Sequence, residues 1–358
     1  MRRPLAALAC AATLACAAAL GTPTAGTTGE PVDGAVARGV SSLVGRQQAD
    51  GSWEAHVGLT AVAVLALLQP SADPSPEGRA ATARGLAYLE RWVQPDGGIY
   101  QEDIRHYTTA VALLAFVASG DPRYRDRVRA AQAYLVRLQA SEANGFAPSD
   151  PLFGGTLVDR NKANLDATFF AMRALAESGL GAEHPYWARA VRFVSRCQNL
   201  RPSNDQPWAA EDGGFVFAPG FSFAGGTTSY GTMTYAGLSA YRDAALPRDD
   251  PRVQAALGWI RERFTTDENP GLGQQTLFHS FFYMSHTLRR WSVDTLTDAS
   301  GRARSWRREL AAGLLARQQP DGAWANTEDP RWLESRPVLA TSFAVRALKE
   351  SLAGGTGL

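Results

Sequence analysis

Two side chains in this sequence stand where they could do chemistry together: Asp166, in Asn164-Leu165-Asp166-Ala167-Thr168, and His279, in Leu277-Phe278-His279-Ser280. Each opens an apolar stretch with helical spacing. Phe169 and Phe170 follow Asp166 closely. A carboxyl group buried among such neighbours is held neutral, because burial disfavours its charged form, and a neutral carboxyl is a proton donor. Asp166 has a competing structural role, since an Asp in the first turn of a helix satisfies backbone N–H groups and the helix dipole. His279 has a similar choice, between an imidazole facing a ligand and a hydrogen-bonded histidine of the core or rim.

The elements that position this pair repeat along the chain. An amphipathic stretch closes on a Gly-containing turn, an aromatic or apolar residue follows, and an apolar helix comes next. The turns are Gln48-Ala49-Asp50-Gly51-Ser52-Trp53, Gln94-Pro95-Asp96-Gly97-Gly98-Ile99, Asn144-Gly145-Phe146, Asp212-Gly213-Gly214-Phe215, Asn269-Pro270-Gly271-Leu272 and Gln319-Pro320-Asp321-Gly322-Ala323-Trp324. They recur roughly every 45 to 70 residues, a period that signals stacked supersecondary units. The following helices share a second signature: Thr60…Ala66-Leu67, Thr109…Ala115-Phe116, Thr168…Ala174-Leu175 and Thr341…Ala347-Leu348.

The first helix of each unit, as in 85–93 and 128–138, has one polar face. The second, as in 59–68, 108–117 and 168–175, is apolar almost all round and must be surrounded. Two concentric layers follow: an all-α (α/α)6 toroid of six helix pairs around a central apolar cavity. Counting back two residues from the repeated Thr gives one level at the cavity mouth, namely Gly58, Tyr107, Asp166, Ser229, His279 and Leu339. The expected cavity wall comprises Tyr107, Asn164, Phe169, Phe170, Ser229, Tyr230, His279 and Phe282. Aromatic rings on this wall could stabilise cations through their π faces.

Gln-x-x-Asp-Gly-Ser-Trp and Gln-x-x-Asp-Gly-Ala-Trp resemble the Gln–Trp repeats of squalene and oxidosqualene cyclases. Asp212-Gly213-Gly214-Phe215 resembles the Gly-Gly-Phe repeat of protein prenyltransferase β subunits. The resemblance covers essentially all of residues 34–358 and implies a terpenoid cyclase-like toroid, similar to secreted bacterial proteins carrying these repeats. Asp166 and Thr168 match the middle acid and the Thr of the cyclase motif D-x-D-D-T. The resemblance therefore implies that Asp166 protonates an alkene or epoxide to start a carbocation reaction. His279 resembles the zinc-binding His of the prenyltransferases. The partner positions fall near Thr228 and Tyr230, which supply no thiolate, so no metal and no cofactor are expected. Squalene cyclases enclose substrate between two barrels and this chain has length for one; segments 153–162 and 201–211 are candidates to close the cavity.

Composition sets the setting. Apolar residues make up 45% and charged residues 20%, with a net charge of +1, so nucleic acid is not an expected partner. Arg2, Arg3 and the Ala-rich run 5–20 read as a signal peptide over residues 1–21, followed by a flexible Thr/Gly/Pro-rich leader over 22–33. The protein is therefore expected to be exported, with no transmembrane segment in the mature chain. Cys10 and Cys16 would leave with the signal, and Cys197 within a helical pattern reads as a buried inert thiol. The expected partner is a hydrophobic small molecule of isoprenoid or hopanoid class. The rival readings are a non-catalytic binder of such a molecule and a ring that docks a cell-envelope protein.

Overall fold

In the computed structural model, residues 29–68, 75–102 and 104–353 are described. The expected signal peptide and most of the expected leader lie outside the described residues. Helix α1 already begins at Gly29, ahead of the expected boundary at 34.

Among the described residues twelve α-helices alternate between two layers. The outer helices are α1 (Gly29–Gly45), α3 (Pro76–Glu90), α5 (Arg125–Arg137), α7 (Tyr186–Arg196), α9 (Pro251–Arg263) and α11 (Trp306–Arg317). The inner helices are α2 (Val57–Leu68), α4 (Arg105–Ser119), α6 (Leu165–Glu177), α8 (Gly231–Asp243), α10 (Leu277–Arg290) and α12 (Pro337–Leu352). Each inner helix packs on the next, and α12 packs back on α2, which closes the circle. The fold is an all-α toroid. Its strands among the described residues form two short antiparallel hairpins, β1 (Leu157–Asp159) with β2 (Lys162–Ala163) and β3 (Leu296–Thr297) with β4 (Ala303–Arg304). Among the described residues no helix is long and apolar enough to cross a membrane.

Local chemistry starts the helices in the expected way. Ser75 accepts the Gly78 N–H at 3.1 Å ahead of Pro76, and Asp250 accepts the Arg252 N–H at 2.9 Å ahead of Pro251. From Val57 to Leu67, α2 is buried on every side, as an apolar helix at the centre of a ring must be. The repeated threonines anchor each inner helix to its turn. Thr60, Thr109, Thr168, Thr234 and Thr341 accept the backbone N–H of Trp53, Ile99, Thr156, Phe215 and Trp324 at 2.9 to 3.1 Å.

The repeated glutamine works one position away from the one emphasised by the turn motif. Gln47, not Gln48, donates to Gly51 O and to Ala81 O of α3, and Gln318, not Gln319, donates to Gly322 O and to Ala35 O of α1. Gln139 and Gln198 make equivalent pairs of bonds to Gly154 and Tyr186 and to Gly213 and Arg252. One amide thus ties a turn to the next outer helix. Gly322 shows why the turn needs glycine: its φ is +82°, and a Cβ there would sit 2.5 Å from Arg38 O.

α3 packs chiefly on α2, α5 on α4 and α9 on α8, so these outer helices cover the inner helix of the preceding pair. α1 follows the same rule around the ring and sits on α12. The approach is close at Gly39, where a Cβ would come within 2.8 Å of Val345 and Trp324. Arg46 pairs with Asp321 at 2.7 Å across the same seam.

Candidate functional site

The cavity lies at one end of the ring, over the N-terminal ends of the inner helices, and has a volume of about 550 Å³. Gly58, Tyr107, Asp166, Thr232, His279 and Leu339 all line it, one from each inner helix. Ser229 was expected in place of Thr232. The fourth anchoring threonine is Thr234, so the level falls three residues later than counted. Ser229 instead sits buried behind the wall, accepting from Asn199 and donating to Asp212, each at 2.8 Å.

Asn164, Asp166, Tyr107, Tyr230 and His279 are brought together on the cavity wall. Phe169, Phe170 and Phe282 are not. They are buried below it in an aromatic layer that fills the ring: Phe169 lies 4.7 Å from the Tyr283 ring, Phe170 lies 4.8 Å from Tyr107, and Phe282 stacks on Phe343 at 5.1 Å. Phe169 and Phe170 share the helix face of Asp166 but lie about one turn, ~5 Å, further along the axis, which puts them below the mouth and in this layer.

The cap of α6 is Asn164, whose side chain accepts the Ala167 N–H at 2.8 Å. Asp166 is therefore free of that duty. Its hydrogen bond comes from the Tyr283 hydroxyl, delivered by α10. Burial raises the Asp166 pKa above its ordinary value, while the Tyr283 hydrogen bond and the His279 charge pull the other way. Tyr283, in turn, is held well above the ordinary phenol range by burial and by the Asp166 charge. A carboxyl with a raised pKa, facing an apolar cavity and oriented by a phenol, can keep and deliver a proton.

Three histidines line the same mouth. His56 accepts the Leu59 N–H through Nδ1 at 3.2 Å and so heads α2, and burial lowers its pKa. Burial pushes His106 down to about 4. His279 bonds Glu334 instead, at 2.6 Å through Nδ1. Among the described residues no group of three or more His, Cys, Asp or Glu side chains gathers as metal ligands. Cys197 is buried, and burial raises its thiol well above the ordinary value.

The walls above this level come from loops. Val158 of the β1–β2 hairpin contributes, from within the expected closing segment 153–162, whereas 201–211 contributes nothing. Phe217 and Phe223 from one loop and Trp332 and Leu333 from another complete the lip, with Phe223 and Trp332 meeting edge to face at 5.4 Å. The exposed large apolar side chains among the described residues are Ile104, Phe221, Phe223, Trp332 and Leu333. All but Phe221 line the cavity, and Phe221 packs on Phe223 at 5.2 Å. The three phenylalanines Phe217, Phe221 and Phe223 are a legible signal for this lip, whereas nothing in the local pattern marks Glu334.

Known proteins of the same shape were found among solved structures. The apo type II terpene cyclase MstE from Scytonema superposes with a TM-score of 0.55 at 16% identity, over 89% of this chain and 97% of that one. A single-residue variant of the same cyclase, in complex with geranylgeranyl dihydroxybenzoate as substrate, gives 0.56 at 14% identity over 90% and 97%. A possible member of the GH105 family from Klebsiella pneumoniae gives 0.59 at 11% identity, over 97% of this chain and 99% of that one. The fold is a terpenoid cyclase-like α/α toroid. No protein-family model and no curated protein matches the sequence. Identities this low speak for the fold alone, because one toroid can host unrelated chemistries.

Proposed function

We propose that this protein is an exported enzyme that protonates an isoprenoid-like molecule through Asp166 and so starts a cyclisation or isomerisation. One observation carries the reading: Asp166 faces an apolar cavity with its capping duty taken by Asn164 and its carboxyl held by Tyr283. Protonating a carbon–carbon double bond requires a neutral acid, and the raised pKa of Asp166 supports that role. Tyr107 and Tyr230 on the same wall offer π faces to a developing cation. Leu59, Val158, Phe217, Leu272 and Trp332 give the wall enough apolar surface for a hydrocarbon chain.

Incubation with geranylgeraniol and with squalene, followed by gas chromatography–mass spectrometry, tests the proposal. Cyclic or double-bond isomers of the probe are expected, and none from Asp166→Asn. Equal turnover by that variant removes Asp166 from the mechanism.

The exposed lip supports a second reading, in which the ring holds a hydrophobic ligand or docks an envelope partner without turnover. Under it, the wild type and Asp166→Asn bind the probe alike and neither converts it.

A further inference from the structure

Glu334 reaches the site from the 331–334 loop rather than from an inner helix, and its side chain is fully buried. Oε1 accepts the His279 Nδ1–H at 2.6 Å and the His279 backbone N–H at 2.7 Å. Oε2 accepts from Asn326 Nδ2 at 2.8 Å. Asn326 is itself fixed, donating to Gln274 O at 2.7 Å and accepting the Glu328 and Asp329 N–H groups. The loop holds Trp332 and Leu333 at positive φ (59° and 63°), a conformation that such residues keep only where the surroundings impose it.

A neutral imidazole carries one hydrogen, and a carboxylate at Nδ1 claims it, so the lone pair is left on Nε2. No described residue hydrogen-bonds Nε2, and His279 lines the cavity that Asp166 also lines. Asp166 on α6 and His279 on α10 face this one cavity from different inner helices. Phe343 fixes the ring plane from the side at 4.7 Å.

We propose that His279, oriented by Glu334, is the base that ends the reaction Asp166 starts. The inference rests on the reading of Asp166 as the initiating acid. In the first step the Asp166 O–H bond breaks, and the proton adds to one carbon of a double bond, leaving a carbocation and a carboxylate. After ring closure or a shift, Nε2 takes a proton from the carbon beside the cation. The C–H electron pair becomes the new double bond, and an imidazolium remains. The proton returns from His279 to Asp166 through solvent at the mouth, so substrate and product are isomers. His279 is the catalytic residue in this scheme and Glu334 a positioning residue.

Nitrogen-15 NMR of the imidazoles at pH 8 reads the tautomer in the whole protein with no substrate present. The Nδ1–H form of His279 is expected in the wild type, and a mixed population in Glu334→Gln. An Nε2–H form in the wild type overturns the orientation, and that spectrum needs no variant. With geranylgeraniol as probe, His279→Gln is expected to cut the olefin product about 100-fold, with water-captured alcohols taking its place. Glu334→Gln is expected to lower kcat about 10-fold with little change in KM. Unchanged olefin output from His279→Gln overturns the base while leaving the acid intact. Turnover that survives in Asp166→Asn, or an unreactive wild type, overturns the acid and the base role built on it.

Discussion

Tyr283 donates its phenolic hydrogen to Asp166, joining α10 to α6 although α8 stands between them in the ring. The bond places a donor on the carboxyl from below, where Phe169 and Phe170 pack against the same phenol ring. It stabilises the charged form of Asp166 against a burial effect that works in the opposite direction.

Replacing Tyr283 with Phe removes that stabilisation and leaves burial unopposed by it. The Asp166 pKa then rises further, and the neutral acid persists to higher pH. In a pH–rate profile with geranylgeraniol, the alkaline limb should move to higher pH than in the wild type. A limb that stays in place would show that another group sets it.

Asp166→Asn should stabilise the fold while it abolishes activity. The folded pKa of Asp166 lies above the unfolded one, so folding favours the protonated form. The penalty of the charge is therefore present at neutral pH and disappears as pH falls through the unfolded value. Asn keeps an acceptor for Tyr283 and carries no charge. Thermal unfolding should show a higher midpoint than wild type at pH 7 and a smaller difference at pH 4.

His106 gives stability a second pH dependence. Its folded pKa of about 4 lies below the ordinary 6.5, so the fold favours the neutral ring. Stability from this group is intact above 6.5 and is lost as pH falls from 6.5 towards 4. His106→Gln should flatten the drop in thermal midpoint across that window, and a drop of unchanged size would assign it elsewhere.

Arg346 is a buried cation on the inner face of α12, with its guanidinium 4.2 Å from the Phe282 ring. Its Nε and Nη1 are buried with no hydrogen-bond partner, and Arg173 adds like charge nearby. Arg346→Met keeps the packing volume and removes the charge. By analogy with buried ion groups replaced by apolar side chains, it should be neutral or stabilising by about 1–4 kcal/mol. A loss above about 2 kcal/mol in denaturant titration would show that an internal water or anion satisfies the guanidinium.

Gly39→Leu tests the seam. The new side chain would drive into Val345 and Trp324, and overpacking of this kind costs typically about 1–3 kcal/mol. One cooperative transition at lower denaturant is expected, since each inner helix packs on the next around the ring. Two separate transitions would show that α1 detaches by itself.

The sequence spoke most clearly where geometry repeats. Thr60, Thr109, Thr168 and Thr341 marked the inner helices because each makes the same bond to its own turn. The fourth unit slipped because Thr228, Thr232 and Thr234 crowd its approach, and only the bond from Phe215 N distinguishes Thr234. Asn164 and Asp166 are both good helix-starting residues, so composition could not say which one caps and which one faces the cavity. Glu334 left no trace, because its partner His279 is remote in sequence and the intervening loop follows no period. Phe169, Phe170 and Phe282 carry the right chemistry for a cavity wall, but their depth along the helix axis depends on how the inner helices close together.

Because α1 sits on α12 as other outer helices sit on their neighbours, the order of units along the chain is cyclic and the numbering of pairs is arbitrary in space. A circularly permuted chain that starts at α3, with a linker joining 353 to 29, would present every helix with the neighbours it has now. Among the described residues, α12 and α2 are the neighbouring inner helices that no intervening outer helix joins along the chain. That joint is where the circle can part without breaking the chain, and it lies on the wall formed by Gly58 and Leu339, beside the mouth that holds Asp166.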